Sequence, residues 1–303
     1  MLIAVGSLIL IAVAGAFLIA PKRLPAAALS ADHAPDLVNG EAMFQAGNCS
    51  ACHMTPGQND RRRLAGGLEL TSPFGTFVAP NISSDATYGV GGWTELEFVN
   101  AMARGVDRRG RHLYPAFPYT SYSLMTTSDL RDLFAYLKTL PPEAARNARH
   151  KLPFPYNMRW AVGAWKLLYF HPEAFTPDPD KSEEWNRGRY LAEGPAHCAS
   201  CHTPRDLLGG PDLKARYAGA PNLEVGGRFA SNITSHKDGI GDWSEADLAE
   251  FLKTGTDICF NEPEGMRSVL ASTSLYSDAD LAALAAYIHA LPPKPGNGDK
   301  KPC

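Results

Sequence analysis

The chain has little cysteine, six residues in 303, and no excess of basic charge: 29 lysines and arginines stand against 32 aspartates and glutamates, a formal net charge of -3. That balance excludes the phosphate-neutralising surface that a nucleic-acid binder needs, so no nucleic-acid partner is expected. Convincing period-2 alternation is also missing, which leaves helices and loops as the building material. The length is enough for two domains of ordinary size, each with its own core.

Scarce as they are, four of the six cysteines fall into two matching stretches, "GNCSACHMTP" (47–56) and "AHCASCHTPR" (196–205). A C-x-x-C pair alone reads as a redox dithiol or half a zinc site, but a histidine directly behind it gives the c-type haem attachment signature. Two thiols can add to the two vinyl groups of one haem, and the adjacent imidazole can ligate its iron. Cys49, Cys52 and His53 are therefore expected to hold one haem, and Cys198, Cys201 and His202 a second. A zinc site made of the four thiols is the competing reading; it leaves both trailing histidines without a role.

Residues 2–20, "LIAVGSLILIAVAGAFLIA", carry no charge, and as a helix would run close to the roughly 30 Å of a bilayer core. The run is longer than a cleavable signal's apolar region and lacks a basic leader, which favours a retained membrane anchor, although "PAAALSAD" (25–32) offers small residues for cleavage. Lys22 and Arg23 follow the segment, and the positive-inside rule alone would put that side in the cytoplasm. Covalent attachment of haem c takes place outside the cytoplasmic membrane, which outweighs this signal. The expectation is a single N-terminal anchor, residues 1–30, in a bacterial inner membrane, with the body of the chain in the periplasm.

The chain also repeats itself. "NGEAMFQAGNCSACH" (39–53) pairs with "RGRYLAEGPAHCASCH" (187–202), "PNIS" (80–83) with "SNIT" (231–234), "GGWTELEFVNAMARG" (91–105) with "GDWSEADLAEFLKTG" (241–255), and "DLRDLFAYLKTLPP" (129–142) with "DLAALAAYIHALPP" (280–293). Four blocks in one order mean duplicated domains. Thr94 and Ser244 read as N-caps with Glu97 and Asp247 at N3, and Gly105 and Gly255 close those helices. The last helix of each copy is expected to begin after Thr127 or Ser277 and to stop at Leu-Pro-Pro. Leu130, Leu133, Phe134 and Leu137 form one apolar stripe, as do Leu281, Leu284, Ala285 and Ile288. Such short helices bury little apolar area against one another, and a haem in the middle would supply the missing core. Between the copies, residues 143–182 contain an apolar helical piece near 156–170. It reads as a brace across both domains, or as a docking or membrane-surface helix.

With both C-x-x-C-H motifs, "AGGLELTSPFGTFVAPNIS", "GGWTELEFVNAMARGV", "HLYPAFPYTSY" and "CHTPRDLLGG", the chain resembles the dihaem class I cytochromes c related to the cytochrome subunits of membrane-bound bacterial alcohol and gluconate dehydrogenases. The resemblance covers roughly residues 36–293. It implies an all-α fold of two tandem cytochrome c domains, 31–142 and 183–303, each a few short helices around one covalently attached haem, with 143–182 as the linker. It also implies two covalently bound haem c groups and transfer of single electrons. The donor would be a membrane-bound or periplasmic dehydrogenase or the quinol side, and the acceptor a cytochrome or oxidase. The larger dehydrogenase subunits carry three haems, and this chain has two motifs.

A methionine thioether as sixth ligand closes the iron and raises its potential, whereas an open position admits small molecules. Met266, eleven residues before Ser277, is the expected sixth ligand in the second domain. In the first, the resembling subunits often read "YPAMPY" where this chain has "YPAFPY", with Phe117 in the methionine's place. Met125 is then the expected ligand, and Met102, inside a helix, reads as core. His112, His289 and His197 read as structural or exposed. Cys259 and Cys303, unclaimed by haem, can pair as a disulfide in an oxidising compartment, or Cys303 can stay outside such a bridge. A redox carrier with no substrate chemistry of its own accounts for these features. The rival is a dihaem enzyme, a peroxidase or a thiosulfate-oxidising cytochrome, with an open or displaceable iron in domain one and Cys259 as the candidate cysteine ligand for thiosulfate chemistry.

Overall fold

Helix-capping signals in the sequence translate directly into helix boundaries in the computed structural model, which describes residues 10, 13–220, 230–256 and 264–296. The first half contains α1 (Leu37–Ala46), α2 (Cys49–His53), β1 (Glu69–Ser72), β2 (Gly75–Val78), α3 (Glu95–Arg104), α4 (Tyr119–Tyr122) and α5 (Thr127–Thr139). After α6 (Ala161–Tyr169) the second half contains α7 (Glu183–Glu193), α8 (Ala199–His202), α9 (Glu245–Thr254), α10 (Arg267–Thr273) and α11 (Asp278–His289). Short 3₁₀ turns occupy Ala26–Ala28, Leu213–Ala215 and Glu264–Met266.

The reciprocal caps of α3 and α9 are complete: Thr94 Oγ1 accepts from the Glu97 N–H at 3.2 Å while Glu97 accepts from the Thr94 N–H at 2.9 Å, and Ser244 and Asp247 do the same. Gly105 and Gly255 end these helices at φ 57° and 82°, in the left-handed region where a β-carbon is costly. Ser277 caps α11 as expected. In the first half the cap is Thr126, not Thr127, because Thr126 Oγ1 reaches the Asp129 N–H at 3.0 Å and Thr127 is already helical. The linker helix likewise starts at Ala161, since residues 156–160 form turns.

The fold is mostly helical, but not wholly so. β1 and β2 pair antiparallel, with Leu70 opposite Phe77. Each strand is only four residues long, too short to display a period. Gly75, at φ 115°, lets the hairpin approach the backbone of Lys151 and Leu152, and Thr76 exchanges two hydrogen bonds with Lys151. The hairpin therefore fixes the start of the linker to the first half.

Each half has its own apolar cluster. Phe44, Leu64, Val99, Leu130, Leu133 and Leu137 are fully enclosed in one, and Leu191, Leu281, Leu284, Ala285 and Ile288 lie in the other. The first and last long helices of each half cross at a glycine. A β-carbon on Gly40 would lie 2.2 Å from the Asp132 carbonyl oxygen, and one on Gly188 would lie 1.8 Å from that of Ala283. Only glycine permits this approach, and it occurs at equivalent places in "NGEAMF" and "RGRYLA".

Residues 13–18 are helical, and the chain then docks onto the first half. Ile19 O lies 2.8 Å from His112 Nε2, and Arg23 donates to the carbonyls of Asp107 and Arg108 at 2.7 and 3.1 Å. Residues 1–9, 11 and 12, part of the expected anchor, lie outside the described residues. Among the described residues no helix is long and apolar enough to cross a membrane.

Asp132 ties α1 to α5. It is buried, and burial alone would raise its pKa; the hydrogen bonds from Asn39, the Asp36 N–H and His33 outweigh this and hold the carboxyl below its ordinary value. A carboxylate whose folded pKa is depressed contributes stability above its unfolded pKa, and loses it as the pH falls through the folded value. Asp132→Asn should destabilise the protein at neutral pH by about 1–3 kcal/mol and flatten the decline in stability below pH ~4, as measured by denaturant unfolding across that range.

Candidate functional site

The sequence places Cys49 and Cys52 three residues apart on the single turn α2, so both thiols project from one face. Asn48, immediately before, adopts φ 47°, and its counterpart His197 adopts φ 41°. This shared left-handed residue swings the chain from the preceding helix into the attachment turn. In the second half Cys198 and Cys201 bear the same relation around α8, with the His202 N–H bonded to Cys198 O at 3.0 Å.

Burial pushes the Cys49 and Cys198 thiols up to about 12, with the partner cysteine of each pair adding to the shift. A reactive dithiol needs the opposite, a lowered pKa. Among the described residues no group of three or more histidine, cysteine or acidic side chains converges as a metal site. The thiols are therefore not assembled into the zinc site that the spacing alone leaves open.

Both histidines are oriented in the same way. His53 Nδ1 lies 2.7 Å from Pro80 O, and His202 Nδ1 lies 2.7 Å from Ser231 O. As donor to a carbonyl, Nδ1 carries the proton and leaves Nε2 as the coordinating nitrogen, the arrangement that fixes an imidazole on a metal. Burial lowers the pKa of both rings, which favours the neutral form required of a ligand. Two thiols on one face beside a neutral imidazole with its coordinating nitrogen defined are the donor set for a covalently attached haem.

The carbonyls that orient the histidines are held by a duplicated clamp. Asn81, next to Pro80, donates from Nδ2 to Glu143 O and Ala145 O at 2.7 and 3.0 Å; Asn232, next to Ser231, donates to Lys294 O at 2.8 Å. Their Oδ1 atoms accept from the Ser83 and Thr234 N–H groups, both at 2.9 Å. Ser84 and Ser235 donate to Leu140 O and Leu291 O, at the ends of α5 and α11. Each histidine is thus locked to the close of the last helix in its own half.

Known proteins that this chain resembles are cytochromes. It is 43% identical to a protein of Cereibacter sphaeroides named "Diheme cytochrome c-type", over 84% of this chain and 85% of that protein. The cytochrome c family model matches residues 37–141. The chain belongs to the cytochrome c family. It is also 37% identical to the fructose dehydrogenase cytochrome subunit of Gluconobacter japonicus, over 88% of this chain and 54% of the relative. With the gluconate 2-dehydrogenase cytochrome c subunit of Pantoea cypripedii it shares 36% identity, over 88% of this chain and 62% of the relative. The cytochrome thus spans little more than half the length of these dehydrogenase subunits.

As a member of this family the cytochrome carries covalently bound haem c. Its two C-x-x-C-H segments meet across the contact between the halves. Tyr122 Oη donates to Gly47 O at 3.3 Å while its ring sits 5.7 Å from that of His197, and Tyr276 Oη donates to Ala46 O at 3.1 Å. Ser272 Oγ donates to Asn48 Oδ1 at 2.7 Å, and Arg61 bridges Ser50, Ala271 and Ser272. His197 itself is half-buried, and desolvation of its ring lowers its pKa; it bonds the Gly47 backbone. The residues just ahead of each attachment motif therefore touch the other half.

Met125 is buried in the first core cluster, against which Cys49 and Phe117 pack, and its side chain also approaches Gly194 of the second half. Met266 is half-buried at the junction of a 3₁₀ turn and α10. Met102 lies in the core of the first half. His112 is buried and bonds Ile19 O, while His289 is half-exposed near Glu245. Cys259 and Cys303 lie outside the described residues.

Sequence reading missed the asparagine clamps, although "PNIS" and "SNIT" marked their positions as a repeated block. Asn81→Ala and Asn232→Ala should each destabilise one half by about 1–3 kcal/mol, because buried backbone carbonyls lose their donors. Each should also shift the reduction potential of any haem that the histidine of that half ligates, as that histidine loses a fixed hydrogen-bond partner. Denaturant unfolding and potentiometric titration check this.

Proposed function

We propose that this cytochrome is a two-haem electron relay, with one haem c held by Cys49, Cys52 and His53 and another by Cys198, Cys201 and His202. The observation that carries the proposal is the duplicated donor set, with the same Nδ1-to-carbonyl bond and the same asparagine clamp in both halves. Bound haem supplies one-electron chemistry at iron. The chain's own task is to hold the donors still. Its histidines keep one tautomer, its attachment turns keep both thiols on one face, and its apolar clusters exclude water.

The contact between the halves supports electron exchange within the chain. Tyr122, His197 and Tyr276 pack at the bases of the attachment turns, so the two donor sets are joined by packed, hydrogen-bonded protein. Electron transfer decays steeply with distance, and a short packed contact favours it.

Met125 and Met266 are the sixth ligands in this reading. The donor is a dehydrogenase, since relatives of this chain are dehydrogenase cytochrome subunits, and the acceptor is a further cytochrome or an oxidase. Residues 2–20 anchor the protein to the bacterial inner membrane, and the haem-bearing halves lie in the periplasm. The docking of Arg23 onto the Asp107 and Arg108 carbonyls weakens the topological signal of that charge, because its donors are engaged by the body of the protein.

Spectroscopy of the ferric protein tests the relay against an enzyme. Two low-spin signals, with carbon monoxide and cyanide binding slowly or not at all, are expected. Met125→Ala and Met266→Ala should each create one high-spin iron open to exogenous ligand. A wild-type high-spin haem that turns over hydrogen peroxide and ignores Met125→Ala would replace the relay with a peroxidase in which the first iron is open.

A further inference from the structure

The linker helix α6, "AVGAWKLLY", is amphipathic in the reverse of the usual sense. Its solvent-facing positions, together with the residue before it, are Trp160, Ala164, Leu167 and Leu168, spaced i, i+4, i+7 and i+8 along one stripe. Trp160 is 61% exposed, Leu167 44% and Leu168 61%. Its one charged side chain turns inward instead. Lys166 Nζ donates to the carbonyls of Arg104 and Gly105 at 2.7 and 2.8 Å, where they end α3, and burial pulls its pKa down to about 7. A helix whose outer face met only water would gain by placing the lysine there and leucine within.

The neighbouring loop extends the stripe. Trp165 Nε1 donates to Leu208 O at 3.1 Å and Tyr169 Oη to Asp206 Oδ2 at 2.7 Å, which seats residues 206–210 beside α6. Asp206 Oδ1 in turn accepts from the N–H groups of Leu208 and Gly210, both at 2.9 Å. The loop is thereby fixed with Leu207 96% and Leu208 59% exposed. Two outward leucines on a rigid loop, next to an outward apolar stripe, make a continuous apolar surface of a kind that water alone does not favour.

The uncharged run 2–20 joins the body at this same place. Gly163 lies against Ile19, where a β-carbon would stand 2.1 Å from the Ile19 carbonyl oxygen, and Phe17 and Leu18 just before it are exposed. Lys22, Arg108 and Arg109 are exposed close by, around the Arg23 contact. A tryptophan at the end of an apolar stripe and cations beside it match the interfacial region of a bilayer with anionic headgroups.

We propose that the exposed face of α6, with Leu207 and Leu208, lies in the surface of an anionic lipid bilayer beside the point where residues 2–20 leave the body of the protein. The proposal rests on the reading of residues 2–20 as a membrane anchor. The helix then acts as an in-plane element of the kind that buries one apolar face at the headgroup boundary. It fixes the tilt of both halves relative to the membrane, which a single anchoring helix would leave free to swivel.

The full-length haem-loaded protein, reconstituted in vesicles of phosphatidylethanolamine and phosphatidylglycerol with a trace of lipid bearing a carbene precursor in its acyl chain, provides the test. After illumination, mass mapping should find adducts on the peptides containing Trp160–Leu168 and Leu207–Leu208 as well as on the N-terminal run. Leu167→Gln with Leu168→Gln should lower labelling of the α6 and 206–210 peptides several-fold, with the visible haem spectrum and the N-terminal adducts unchanged. Adducts confined to the N-terminal peptide would overturn the surface and leave the anchor standing. Adducts nowhere would overturn both. Protection of α6 only when a dehydrogenase subunit is bound, without lipid adducts, would make this a protein-docking face and overturn the lipid assignment.

Discussion

Everything in this protein is arranged around the hydrogen bond from an imidazole Nδ1 to a backbone carbonyl, made once by His53 to Pro80 and once by His202 to Ser231. That bond sets the tautomer, aims Nε2, and ties the attachment turn to a loop some thirty residues further on. The loop is held by Asn81 or Asn232 to the segment that follows the last helix, and the last helix crosses the first at Gly40 or Gly188. A chain of contacts thus runs from the histidine through the loop and the terminal helix back to the helix that precedes the cysteines. Helices of this length bury too little apolar surface to fold on their own account, and a ring of contacts closed through the histidine gives each half a single arrangement.

Duplication extends this logic to the pair. The segments just ahead of the two attachment turns hook across the contact, Asn48 to Ser272 and His197 to Tyr122, so the donor sets are registered against each other by their own flanking residues. Position 48 and position 197 share their backbone conformation but not their side chain. Each half keeps the common geometry while its contact with the other half is specific. The linker contributes from outside, through Lys166 on α3 and Tyr169 on the 206–210 loop, and so braces both halves at one face.

Much of this is legible in the sequence. The C-x-x-C-H turns, the capping boxes at Thr94 and Ser244 and the glycine ends of α3 and α9 follow from side-chain chemistry that acts within a few residues. The apolar stripes of α5 and α11 are legible for the same reason. The short hairpin at 69–78 was not, because four-residue strands carry no period and this one is held by Lys151, some seventy residues away. Thr126 displaced Thr127 as the cap because either hydroxyl satisfies the local pattern, and only the Asp129 N–H decides between them. The asparagine clamps were visible as a repeated block, but their role depends on carbonyls about sixty residues further along. The inverted face of α6 was hidden because an apolar segment with one lysine reads as an ordinary brace until the direction of the lysine is known.

The count of attached groups tests this account most directly. Intact-mass measurement under denaturing conditions should find the chain heavier by two covalently bound haems. Cys198→Ala with Cys201→Ala should reduce the count to one, and Cys49→Ala with Cys52→Ala should do the same from the other side. A wild-type mass corresponding to one haem, or a count left unchanged by either pair of substitutions, would contradict the equivalence of the two donor sets.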